Sequence, residues 1–146
     1  MDLARSLAEP HRQAIADLEV TLVPSHVDPS PGNLLLRSDG VVLVDWEFSA
    51  MAAPAWDLAI LSVEASFDHD QDMAVLAAHG NDATDWRRDQ FAMFKACLAL
   101  ITAAWGHAQL ALGAGGTDYR AFIQERTDLT LRLLRLNTSN APVFRL

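Results

Sequence analysis

Three oxygen-bearing side chains, Asp28, Asn33 and Asp45, stand in the order Asp-x4-Asn-x11-Asp. An amide oxygen and carboxylates are hard donors. They suit Mg²⁺, which takes one or two protein carboxylates and leaves its other positions to water and phosphate. Each residue alone has a plainer reading. Asp-Pro at Asp28 and Pro-Gly-Asn at Asn33 are ordinary turn chemistry, and Asp45 can simply end a strand. Only their convergence makes them candidates, so the elements that position them matter first.

The run Leu34-Leu35-Leu36-Arg37 is followed by Ser38-Asp39-Gly40 and then by Val41-Val42-Leu43-Val44. Two short apolar runs around an Asp-Gly pair read as a β-hairpin. With Ser38, Asp39 and Gly40 as a three-residue turn, Arg37 faces Val41 and Asn33 faces Asp45 at the open end. Residues so opposed have Cα atoms roughly 4.5–5.5 Å apart. Pro24, Pro29, Pro31 and Gly32 stiffen the preceding loop, from which Asp28 can overhang the same end.

Around this centre the pattern is helical. Leu3, Leu7, Ile15 and Leu18 predict a leading helix within 1–23. After Pro54 the periodicity predicts a helix capped by Asp57, then helices over Asp70–Ala78, Asp85–Leu112 and Asp118–Leu136, the third stopped by Gly113. The expected fold is therefore α+β and mostly helical: a single domain 1–146, with loop and hairpin over 24–48 and a helical part over 54–146.

The 146 residues suffice for one domain with a core, and a hydrophobic share of 51% describes a well-buried globule. The net charge of −8 comes without a stripe of bases, which argues against nucleic acid as a partner. Cys97 is the only cysteine, so a reducing cytoplasm is the expected compartment. The most apolar stretch, Ala96–Gly106, is shorter than the roughly 20 residues that cross a bilayer, and reads as a buried helix.

The segment His26-Val27-Asp28-Pro29-Ser30-Pro31-Gly32-Asn33 has the form H-x-D-x-x-x-x-N, and Asp45-Trp46-Glu47 follows. This resembles the catalytic and metal loops of the aminoglycoside phosphotransferase and choline/ethanolamine kinase superfamily, whose fold is protein-kinase-like. Val44–Met51, continuing through Pro54–Ala59, looks especially like the choline/ethanolamine and thiamine kinase branch. The resemblance is strong over Pro24–Ala59 and general over the later helices.

The resemblance implies that Asp28 accepts the proton of a substrate hydroxyl as it attacks the γ-phosphate of ATP. It also implies that Asn33 and Asp45 hold Mg²⁺, that His26 hydrogen-bonds the loop backbone, and that Asp57 ties the following helix to the loop. Glu47 is either a metal or substrate-ammonium contact or a solvated carboxylate. Trp46 and Phe48, with Trp56, are either cage residues for a quaternary ammonium or core. Lys95 and His107 are expected to be solvated or locally bonded.

The nucleotide-holding lobe of such a kinase needs a glycine-rich strand turn and a lysine. The only lysine is Lys95, on a later helix, so the expectation is a C-terminal lobe with the nucleotide lobe absent and its ATP contacts unknown. Three readings follow: a small-molecule kinase that is incomplete alone, acting on choline, ethanolamine, an aminoglycoside or thiamine; a non-catalytic binding module; or a divalent-metal phosphoesterase. Partners would be the hydroxyl substrate, a separate nucleotide lobe and, through exposed apolar surface, a second copy in a homodimer.

Overall fold

The computed structural model describes residues 21–80 and 85–139. The predicted leading helix lies outside them except for its last three positions, where Val23 already opens a strand. The order is β1 (Val23–Ser25), a 3₁₀ turn (Pro31–Asn33), β2 (Leu34–Arg37), β3 (Gly40–Leu43), β4 (Ala50–Ala52), then α1 (Pro54–Glu64), α2 (His69–His79), α3 (Asp85–Ala111) and α4 (Tyr119–Ser139). The chain divides into two compact units. Glu19–Phe91 forms one, and the other is built from Ala92 onward. The strands and the first two helices lie in the first of them.

In the first unit, β1 pairs antiparallel with β4, Val23 facing Ala52 and Ser25 facing Ala50. Everything from His26 to Ser49 is an excursion from this short ladder. The pairing was not legible in sequence, because three-residue strands of Pro, Ser, Ala and Met carry no alternation to read.

Within the excursion, β2 and β3 form the expected hairpin, but in a different register. Arg37 faces Gly40 and Leu34 faces Leu43. The turn is therefore Ser38-Asp39 alone, and Asn33 comes opposite Val44, whose N–H donates to the Asn33 carbonyl at 3.0 Å. The Asn33–Asp45 opposition expected above is off by one residue. Gly40, with φ of +145°, pairs with Arg37 as the first strand residue instead of serving as the turn's third residue. An exposed Arg37–Asp39 ion pair, Nε to Oδ1 at 3.2 Å, closes the tip.

Helix α1 starts earlier than predicted. Pro54 takes the first helical position, where its missing N–H costs nothing, and Ala53 is the cap residue. Asp57 accordingly lies inside the first turn and is not the cap, which frees its carboxylate for other partners. Helix α2 opens on a capping box: the Asp68 carboxylate accepts from the Gln71 N–H, and the Gln71 amide oxygen accepts from the Asp68 N–H, both at 2.9 Å. Ala59, Ile60 and Val63 of α1 are buried, as is Leu76 of α2. The buried Ser62 hydroxyl donates to the Asp72 carboxylate and links the two helices.

In the second unit, Ala96, Ala99 and Ala103 line the buried side of α3. At Gly106 a Cβ atom would lie 2.9 Å from the Phe122 ring and 3.0 Å from Ile123, so α4 approaches there as only glycine allows. Gly113, with φ of +69°, terminates α3 in the left-handed conformation. The Asp118 carboxylate accepts from the N–H groups of Arg120 and Ala121 and caps α4. Lys95 is buried, so of its two expected readings the solvated one does not hold. The apolar stretch is longer than the expected Ala96–Gly106: Gln90–Ala111 reaches 22 residues, enough by length and composition alone to cross a membrane, and 50% of its most apolar part is buried within the protein.

Candidate active site

The loop after β1 begins with His26, which is 1% exposed. Its ring joins the two legs of the excursion. The Asp28 N–H donates to Nδ1 at 3.2 Å, so Nε2 carries the proton and donates to the Val44 carbonyl at 2.8 Å. One neutral tautomer satisfies both bonds. The ring also meets the Trp46 indole edge-on, with centroids 4.7 Å apart.

Asp57 holds the same loop from α1. One carboxylate oxygen accepts the His26 N–H at 2.8 Å and the other the Val27 N–H at 2.9 Å. These bonds fix a conformation the chain would not choose. Val27 has φ of +73°, a genuine outlier for a β-branched residue, worth about 1–3 kcal/mol of strain. No sequence signal marks it. The strain sits one residue before Asp28 and turns that residue toward the hairpin's open end.

There Asp28 and Asn33 are in direct contact. The Asn33 Nδ2 group donates to the Asp28 carbonyl at 2.8 Å and to Asp28 Oδ2 at 3.1 Å. The 3₁₀ turn that carries Asn33 is closed by its own N–H donating to the Ser30 carbonyl at 2.9 Å. Two atoms are left for chemistry, Asp28 Oδ1 and Asn33 Oδ1. Asp45 stands one residue past Val44, at the same end of the hairpin, exposed and with φ of +63°, which Asp tolerates better than most residues.

Among the described residues no group of three or more His, Cys, Asp or Glu side chains could hold a metal by itself. A transition-metal centre would need such a group. A magnesium ion shared with phosphate does not, and the donor set of Asn33 Oδ1 and the Asp45 carboxylate fits it. Trp46 is committed to the hairpin through its indole N–H, which donates to the Leu43 carbonyl at 2.9 Å. Glu47 and Phe48 lie exposed in the turn that follows, closed by the Ser49 N–H on the Trp46 carbonyl at 3.0 Å.

Comparison with known proteins shows the family and the fold. The chain is 26% identical over 123 residues to Protein LicA of Haemophilus influenzae, an alignment covering 80% of this chain and 45% of the relative. Its fold is similar to a choline/ethanolamine kinase family protein from Mesorhizobium loti, with TM-score 0.79 and 31% identity over 94% of this chain and 50% of the other. It is also similar to choline kinase LicA from Streptococcus pneumoniae, with TM-score 0.76 and 25% identity over 92% of this chain and 48% of the other. The chain thus spans about half the length of the relatives it matches, with a kinase-like fold over that half. Residues 2–92 match the phosphotransferase enzyme family, and the chain belongs to that family.

Proposed function

We propose that this chain is the catalytic half of an ATP- and magnesium-dependent kinase that phosphorylates the hydroxyl of a small amino alcohol of the choline or ethanolamine type. The observation that carries this reading is the Asp28–Asn33 contact, on a loop clamped by Asp57 and His26, beside Asp45. The Asn33 amide holds Asp28 Oδ2, so Oδ1 is the atom that takes the substrate hydroxyl proton. The freed oxygen then attacks the γ-phosphorus, its O–P bond forms, and the bond to the β-phosphate oxygen breaks to release ADP. A magnesium ion held by Asn33 Oδ1 and Asp45 would neutralise charge on the phosphates. Positioning dominates such a reaction, which is why the loop is over-determined.

The donor needs a second body to hold its base and remaining phosphates. Leu36 at 85% and Val41 at 59% exposure form one cross-strand pair, and Leu35 and Val42 another on the opposite face of the hairpin. An isolated two-stranded hairpin with bare apolar faces is marginal in water. Its continuity with the Asn33/Val44 end supports a nucleotide-holding lobe seated on it. The relatives named as choline kinases support choline as the first acceptor to test.

The test is transfer of labelled γ-phosphate from ATP to choline, ethanolamine and an aminoglycoside, by the chain alone and with a nucleotide lobe from such a kinase added in trans. Transfer is expected only with the lobe, and only to an amino alcohol. Hydrolysis of a phosphate monoester without ATP would favour metal phosphoesterase chemistry instead. Lobe binding that persists with no transfer to any acceptor would leave a binding module.

A further inference from the structure

The second half of α3 carries an apolar stripe on its exposed side, with Thr102, His107 and Gln109 as its polar residues. Ala99, Ala103 and Gly106 make its buried side. On the opposite side, Ile101 is 52%, Trp105 51% and Leu112 78% exposed, with Ala108 exposed between them. The steps from 101 to 105, 108 and 112 alternate four, three and four, the 3.5-residue spacing of a helix-pairing seam. A helix normally lays such an apolar stripe against a partner surface.

We propose that this seam is the interface of a homodimer in which α3 packs antiparallel on α3 of a second copy. Three observations select a second copy as the occupant. First, the seam is self-complementary. A twofold axis passing between Gly106 and His107 sets Trp105 against Ala108 of the partner subunit, large against small, and Ile101 against Leu112 of the partner subunit. The same pairs recur on the other side of the axis, as an isologous interface requires. Second, from Ala96 to Thr117 there is no Asp, Glu, Lys or Arg, so two chains of net charge −8 meet there without bringing like charges together. Third, the central anchor is already held in place. The Trp105 ring stands edge-on to Tyr119 at 5.8 Å and to Phe122 at 5.9 Å between centroids, so little side-chain freedom is lost on docking. Exposed Ala104 and Ala111 flank the seam and let the helix axes approach closely.

The chain's mass is measured by analytical ultracentrifugation at several concentrations, together with Ile101→Glu, Leu112→Glu and, on the hairpin, Leu36→Lys. The expected result is a dimer for the parent chain and for Leu36→Lys, and a monomer for both glutamate variants with unchanged helical circular dichroism. In a Cys97→Ser background, the Trp105→Cys/Ala108→Cys double variant should form a covalent dimer on mild oxidation, and neither single variant should do so efficiently. A monomeric parent chain, a dimer that survives both glutamate variants, or a dimer lost only in Leu36→Lys would overturn the proposal. So would a monomeric chain that binds neutral lipid vesicles through this face.

Discussion

At the scale of single residues, the site depends on side chains that hold backbone as much as on those that face substrate. Asp28→Asn keeps the size and the contact to Asn33 but removes the proposed proton acceptor. In the lobe-supplemented assay kcat should fall by about 10²–10⁴-fold, the usual contribution of a general base, with the melting temperature unchanged. Asp57→Ala should behave differently. It leaves the His26 and Val27 N–H groups without their acceptor, at about 1–3 kcal/mol for each group. Urea unfolding should therefore show a clear loss of stability along with the loss of activity. A stable but inactive Asp57→Ala protein would mean that the strained loop is held by something else.

At the scale of elements, close packing in the second unit turns on Gly106. In open space Gly106→Ala would gain up to about 1 kcal/mol of helix propensity. Here the new methyl would meet Phe122 at 2.9 Å and Ile123 at 3.0 Å, and overpacking of that kind typically costs about 1–3 kcal/mol. A lowered melting temperature is expected, and a raised one would show that α4 yields freely. Between α1 and α2, Ser62→Ala removes a buried donor from the Asp72 carboxylate, and a loss of about 1–3 kcal/mol in chemical denaturation should follow. Gly113 for the end of α3 and Asp118 for the start of α4 were readable as local signals, while the Asp68–Gln71 capping box places the start of α2 at His69, one residue before the expected Asp70. The start of α1 was misread because Asp57 is a good capping residue by type, while Pro54 is a better first position by conformation.

At the scale of the whole molecule, the two exposed apolar surfaces are proposed to take different partners, the hairpin a nucleotide lobe and the α3 seam a second copy. They should respond differently to the solvent. The seam carries no charged residue while each copy carries −8, so added salt screens repulsion between copies without weakening the contact. Dimer dissociation should not increase between low and high salt, as measured by sedimentation equilibrium. A dimer that dissociates on adding salt would place charged residues in the interface.

The sequence by itself determined which residues could do the chemistry. The order His26, Asp28, Asn33, Asp45 and the hairpin between the last two are local facts, written in spacing, prolines and a turn. Only the tertiary structure decided how they meet. The β1–β4 ladder, the bond from His26 to Val44 and the grip of Asp57 on a loop 31 positions earlier join residues that no local period relates. The same holds for the left-handed Val27, a conformation its own side chain opposes and the surrounding bonds impose. Register belongs there too. Whether Asn33 faces Asp45 or Val44 turned on a two-residue or a three-residue turn, because moving a turn by a single residue re-pairs every position of a hairpin.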